Sequence, residues 1–406
     1  MERPLNHWHR LKESAIAIAP IKEMKGRMKP IDFVNSLFSG ASQIQNFQTQ
    51  REIWPTARMS ASPNPRPFPK GAPMALPATY TYGGASKDLQ GFIKETETMA
   101  LVVLKDGAIR HESYADWGGQ NTLWLSHSVS KSFVSALIGN ALDEGLIKSI
   151  EQPVNDYVPA LGIQGSAYKG VRIKDILQMS SGASWNEDYS DSNSDIRRFG
   201  RIVATGGALN EFPATLKRAR EPGTFNRYNS ADTQVLGMLL VTVTGRSIAD
   251  YMQEKLWHPL GMEADGYWII DSTGMERVYG GLNAIARDYA KIGELYRLNG
   301  KWDGKQIISE SWVRASVTPD APHLMPGDTG LSNSVFGYGY QWWVPEGNEG
   351  EYSARGVYNQ FVYVNPTKRV VIVKLSANRR YGLTNDETSS RTLETTEFLR
   401  AIAAAA

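Results

Sequence analysis

The sequence predicts an α+β fold in which one sheet is completed from both ends of the chain around a mostly helical insertion. Three observations carry the expectation. Strand-like runs occur near residue 100 and again beyond residue 335, helical spacing dominates between them, and the first strong helical pattern begins at Ser130.

Residues 1–76 read as an arm. Prolines at 55, 63, 65, 67, 69, 73 and 77 exclude a helix or a central strand across Pro55–Pro77. Phe33, Val34, Leu37, Phe38, Ile53 and Trp54 give the arm enough apolar surface to pack on the body, either beside the mouth of a site or at a homodimer contact. Thr98–Lys105 (TMALVVLK) reads as a buried strand, Asp106-Gly107 as a hairpin turn and Ala108–Tyr114 as its return. From Ser130 the residues Phe133, Val134, Leu137, Ile138, Ala141 and Leu142 share one helical face, and Gly145 stands where the helix would stop. Helical stretches follow at Ile173–Met179, Ala231–Thr244, Ser247–Trp257, Ala284–Leu298 and Ser309–Ser316. Strands return at Gly337–Val344, Gln360–Val364 and Arg369–Ser376, with a final amphipathic helix near Ser390–Ala403. The divisions expected are therefore 1–76 as the arm, 77–150 with 330–406 as the sheet region, and 151–329 as the helical region.

Composition narrows the chemistry. A net charge of +2 with mixed signs offers no electrostatic footprint for nucleic acid or an anionic membrane. With no cysteine, disulfides, thiolate metal sites and a cysteine nucleophile are excluded. The only apolar run near the start, Ala15–Ala19, is too short for a secretory segment, so the expectation is a cytoplasmic protein. The six histidines show no metal-ligand spacing, and no cofactor is expected. The acidic run Glu187–Asp195 misses the spacing of a calcium loop and reads as solvated.

Ser128-Val129-Ser130-Lys131 opens the first strong helix. A serine and a lysine three apart there lie one turn from each other, so the amine can take the hydroxyl proton. That requires an amine held well below its free value near 10.4, which burial and the positive end of the helix dipole both favour. The Ser128 amide, at a helix start, is also a natural oxyanion donor. The spacing alone leaves a helix cap with a surface lysine equally open, and a second Ser-x-x-Lys, Ser166–Lys169, stands between glycines with no helix after it.

Four segments in order carry a resemblance to the class C β-lactamase and penicillin-binding-protein family: Leu125–Phe133, Val171–Trp185, Tyr228-Asn229-Ser230 after Glu221-Pro222-Gly223, and Tyr279–Gly293. The resemblance implies a β-lactamase/transpeptidase-like fold over roughly residues 90–400. It makes Ser128 the acylated nucleophile, Lys131 its base and Tyr228 the proton relay, with the amides of Ser128 and Val357 as oxyanion donors. The family's Lys-Thr-Gly strand motif is replaced by Ala354-Arg355-Gly356, which counts against β-lactamase activity.

Asn186–Tyr189, Ser230–Thr233, Gln341-Trp342-Trp343 and the pattern Gly356-x-x-x-Gln360 further resemble the 6-aminohexanoate-dimer hydrolases within that superfamily. By that resemblance Tyr189 would bind the substrate amide and Trp343 would wall the acyl pocket, unless Trp343 packs in the core. Arg355, Gly356 and Tyr279 complete the substrate-binding set. The function implied is a serine hydrolase acting on a linear amide or small ester. A β-lactamase, a D-alanyl-D-alanine carboxypeptidase and a non-catalytic ligand-binding relative are the alternatives.

Overall fold

The computed structural model describes residues 28–406 and is α+β. A seven-stranded antiparallel sheet runs in the order Gly337–Tyr338, Trp343–Val344, Tyr352–Gly356, Gln360–Asn365, Val370–Ser376, Thr98–Lys105, Ala108–Tyr114. Thr98–Lys105 pairs with Val370–Ser376, so the two chain halves close one sheet. Side chains alternate between its faces. Leu101, Val103, Phe361, Tyr363, Val370 and Ile372 meet Phe398, Leu399 and Ile402 of the C-terminal helix Thr392–Ala405. Val102, Leu104, Val362, Val364, Val371 and Val373 enter the large core on the opposite face. Helix Ala286–Arg297 lies against that face, and Gly293 permits the approach: a Cβ there would stand 2.7 Å from Val371 Cγ1.

A second, four-stranded sheet was not expected. Thr56–Met59, Gly266–Ile269, Leu282–Ala284 and Trp124–Leu125 pair antiparallel in that order. The arm thus supplies an edge strand directly after Pro55, a position where a missing N–H costs nothing to the ladder. Phe33, Val34, Phe47, Ile53 and Trp54 are buried in the same core as the sheet residues, so one hydrophobic cluster runs through the arm, the helical region and the sheet. The Ala15–Ala19 run and His7 and His9 lie outside the described residues.

Several boundaries differ from the sequence reading. The expected strand Gly337–Val344 is two short strands paired with each other, Gly337 against Val344 and Tyr338 against Trp343. Gln341 turns the chain between them with φ of +63°, and its buried side chain meets Thr233 Oγ1 at 2.7 Å and Leu177 O at 2.7 Å. The helix expected from Ala284 starts at Ala286, because Leu282–Ala284 is held in the second sheet. Ile248–Met252 continues into a wider turn over Gln253–Trp257, and a helix at Asp195–Ala204 was not anticipated. Among the described residues no single helix is long and apolar enough to cross a membrane.

Candidate active site

The second sheet sets the position of Ser128. Trp124–Leu125 pairs with Leu282–Ala284, and the Ser126 amide donates to Leu282 O at 2.8 Å. The chain then makes one 3₁₀ turn, His127–Val129, before helix Ser130–Asp143 begins. His127 has a φ of +44°, an uncommon conformation for a residue with a side chain. Its buried ring is fixed edge-on to Phe47 at 4.7 Å and stacked on Tyr358 at 5.4 Å. Burial first, then the neighbouring Arg277 and Lys131 charges, push its pKa well down, so the ring stays neutral. It holds the turn and lines the cleft. Ser128 is left half-exposed at the centre of the turn.

Lys131 is 1 % exposed, so it is not a surface lysine beside a helix cap. Its Nζ lies 2.8 Å from Ser128 Oγ, 2.8 Å from Tyr279 O and 3.2 Å from Ser230 Oγ. Burial lowers its pKa to about 7; Glu187 opposes the shift and Arg277 adds to it. The hydrogen-bond inventory orients the neutral amine. Tyr279 O can only accept, and Ser230 Oγ already donates to Glu187 Oε1 at 2.7 Å, so both N–H groups are committed there. The remaining lone pair faces the Ser128 hydroxyl.

Glu187 and Ser230 join this cluster, and the sequence reading gave neither of them a role. Glu187 accepts from the Ser230 amide at 3.0 Å, from Tyr189 Oη at 2.6 Å and from Trp185 Nε1, as well as from Ser230 Oγ. The expectation of a solvated acidic run therefore fails at its first member. The available signal was the placement of Glu187 two residues before the pocket tyrosine.

Tyr228 is half-buried with its ring 4.9 Å from Lys131 Nζ. Burial is the main cause raising its phenol well above 10.0, while the neighbouring Ser128 hydroxyl acts the other way. Trp343 stacks on Tyr228 at 5.1 Å and 26°, and Tyr338 meets Trp343 edge-on at 4.7 Å. Trp343 thus stands against the tyrosine and does not line the cavity described below. Fully buried Asp232 anchors this side, accepting from Tyr168 Oη at 2.8 Å, Ser181 Oγ at 2.7 Å and Asn229 Nδ2 at 3.0 Å.

Strand Tyr352–Gly356 runs beside the nucleophile turn. A Cβ on Gly356 would stand 2.7 Å from Ser126 O and 3.0 Å from Ser128 N, so glycine is demanded by the backbones themselves. Val357 follows and lines the cleft with Ser128. Tyr358 and Asn359, both at φ of +64°, reverse the chain, and buried Gln360 fastens the reversal. Its amide nitrogen reaches Val357 O at 3.1 Å and Ser376 O at 2.6 Å, and its oxygen accepts from Trp124 Nε1 at 2.9 Å. Arg355 does not reach the cleft. Its guanidinium lies 3.5 Å from the Phe336 ring centroid and hydrogen-bonds Ser353 Oγ at 2.8 Å, and strand alternation turns it away from its neighbours. Its place in the substrate-binding set is corrected on that ground.

A small, partly open cavity adjoins Ser128. Tyr189 and Tyr279 line it, together with Ser230, Arg197 and Arg277. Val34, Leu37 and Phe38 of the arm form one wall. Phe38 packs on Tyr189 at 4.7 Å and on Tyr358 at 5.2 Å, which ties the arm to both sides of the site.

The Beta-lactamase family model matches residues 87–394. The 6-aminohexanoate-dimer hydrolase of Paenarthrobacter ureafaciens is 31% identical over 299 residues, covering 71% of this chain and 75% of that protein. A Bacillus anthracis structure provisionally described as a 6-aminohexanoate-dimer hydrolase superposes with a TM-score of 0.77 at 23% identity, over 89% of this chain and 93% of that one. A family VIII carboxylesterase structure gives a TM-score of 0.57 at 15% identity, over 78% and 95%. The chain belongs to the β-lactamase family and is a hydrolase of the serine β-lactamase type.

Proposed function

We propose that the protein cleaves a linear amide or a small carboxylic ester through an acyl intermediate on Ser128. The observation that carries this reading is the contact of 2.8 Å between Ser128 Oγ and the buried amine of Lys131, whose pKa of about 7 leaves about half of it free to take a proton near neutrality. Lys131 removes the hydroxyl proton as Ser128 attacks the carbonyl, and the amides of Ser128 and Val357 receive the developing oxyanion. Tyr228, beside both groups, passes the proton to the departing amine or alcohol. In the second half-reaction water enters on the same side; Tyr228 takes its proton while handing its own to Lys131, and Lys131 returns a proton to Ser128 Oγ as the acid leaves.

The linear substrate class is favoured by two features. The chain is similar to a 6-aminohexanoate-dimer hydrolase over 71% of its length. The residues standing where a β-lactam carboxylate would be held are Ala354 and a sequestered Arg355. Initial rates of wild type and Ser128→Ala on a short-chain p-nitrophenyl ester, a linear aminohexanoate dimer and a chromogenic cephalosporin test the proposal. Ester or dimer turnover lost in the variant is the expected result. Cephalosporin turnover alone would move the protein to the β-lactamases, and ester turnover retained by Ser128→Ala would remove Ser128 from the mechanism.

A further inference from the structure

We propose that the cavity beside Ser128 is an acyl subsite selective for a terminal carboxylate, which Arg277 and Arg197 bind. The inference rests on the reading of Ser128 as the acylated residue and deepens it by naming the substrate class.

Arg277 is 6 % exposed and lines the cavity. It donates through Nη2 to Gly280 O at 2.9 Å, while its Nε has no partner. Arg197, half-buried on the same cavity, donates through Nη1 to Leu37 O at 2.7 Å and likewise leaves Nε unpartnered. Among the described residues no carboxylate pairs with either: the ionisable neighbours are Tyr279, Lys131 and His127 for Arg277, and Tyr358 and Arg201 for Arg197. Two guanidinium groups withdrawn from water without a counter-charge are costly, and a planar carboxylate offers the charge and the paired acceptors they lack. Glu187, the acid nearest the chemistry, is already taken up by Ser230, Tyr189 and Trp185.

The rest of the lining suits a hydrocarbon spacer. Val34, Leu37, Ile196 and Gly200 line the same cavity, and the Phe38 ring centroid lies 5.2 Å from the Arg197 guanidinium. The direction of binding follows from Tyr228. The leaving group must be within its reach, so we assign it to the side of the site where Trp343 stacks on Tyr228, and the acyl portion to the cavity lined by the arginines. An acyl chain ending in an ammonium, such as a 6-aminohexanoyl group, would bring a third positive charge to the two arginines.

The test uses three p-nitrophenyl esters with six-carbon acyl chains that end in a carboxylate, a methyl or an ammonium group. In wild type the carboxylate ester is expected to exceed the methyl ester in kcat/KM by at least about tenfold, the return on a charge-assisted hydrogen bond, with the ammonium ester slowest. Arg277→Met and, separately, Arg197→Met are expected to reduce that ratio to below about threefold. Because Arg277 is buried, Arg197→Met keeps the test open if the first variant does not fold. Calorimetric titration of Ser128→Ala with adipate, against hexanamide, reads the subsite without turnover, and Ser128→Ala/Arg197→Met is expected to weaken adipate at least about tenfold. Equal use of the carboxylate and methyl esters, all lost in Ser128→Ala, would overturn the subsite and leave the serine mechanism standing. Hydrolysis surviving Ser128→Ala would instead overturn the mechanism, and adipate binding no better than hexanamide would overturn the subsite whatever the kinetics.

Discussion

Replacing Lys131 with methionine should change stability with opposite sign at neutral and at alkaline pH. The amine titrates at about 7 in the fold against an ordinary 10.5. Between those values the unfolded chain holds a proton that the folded chain has released, so wild-type stability rises with pH throughout the window. At pH 7 the burden of keeping the amine unprotonated is about 4 kcal/mol, and it fades by roughly 1.4 kcal/mol per pH unit toward 10.5. Methionine removes this titration with little change in shape, but it strips Tyr279 O and Ser230 Oγ of their N–H donors, a loss of about 2–3 kcal/mol. Lys131→Met should thus be more stable than wild type by about 1–2 kcal/mol at pH 7 and less stable by about 2 kcal/mol near pH 10.5. Urea unfolding of both proteins at four pH values between 7 and 10.5 measures the difference, and other titrations common to both cancel. A difference that stays flat across the window would refute a depressed lysine, and with it the assignment of Lys131 as the base. The kinetic counterpart is an acid limb of kcat/KM in wild type with an apparent pKa of about 7, rate rising with pH as the amine loses its proton.

The other expectations are local. Gly356→Ala forces a Cβ to within 2.7 Å of Ser126 O, so kcat should fall by at least about 100-fold while the circular dichroism spectrum is retained. Ser230→Ala frees one Lys131 N–H from its acceptor and loosens the lone-pair direction. It should lower kcat roughly tenfold with little change in KM, as stopped-flow acylation rates would report. Arg355→Met deletes a buried, unpaired cation away from the cleft; kcat/KM should stay within about twofold and thermal stability should hold or rise. Phe38→Ala loses the contacts to Tyr189 and Tyr358, and should destabilise the protein by about 2–4 kcal/mol in urea unfolding and raise KM.

The parts of the fold legible in the sequence are those with a sustained period. Thr98–Lys105 and Ala108–Tyr114 match the expected strands, and the helix from Ser130 ends beside Gly145 as its pattern requires. The second sheet escaped because strands of two to four residues have no period to read; Trp124–Leu125 and Leu282–Ala284 exist through each other and through the Ser126–Leu282 hydrogen bond. In the site, Ser128 and Lys131 were visible because one helical turn separates them. Ser230, Glu187, Arg197 and Arg277 were not, since their meaning depends on which groups converge from distant segments. Arg355 was misplaced for the same reason, its side of the strand being decided by Phe336 from another segment.

The arm wall has a consequence for how specificity could diversify. Val34, Leu37 and Phe38 line the cavity, yet they lie upstream of residue 87, where the match to the family begins. The proposed Ser128–Lys131 pair and part of the cavity wall are therefore carried by separate stretches of chain. Substitutions at Val34 and Leu37 would reshape that wall, whereas Phe47 and Thr56–Met59 of the same arm are tied to the turn and the sheet that hold Ser128.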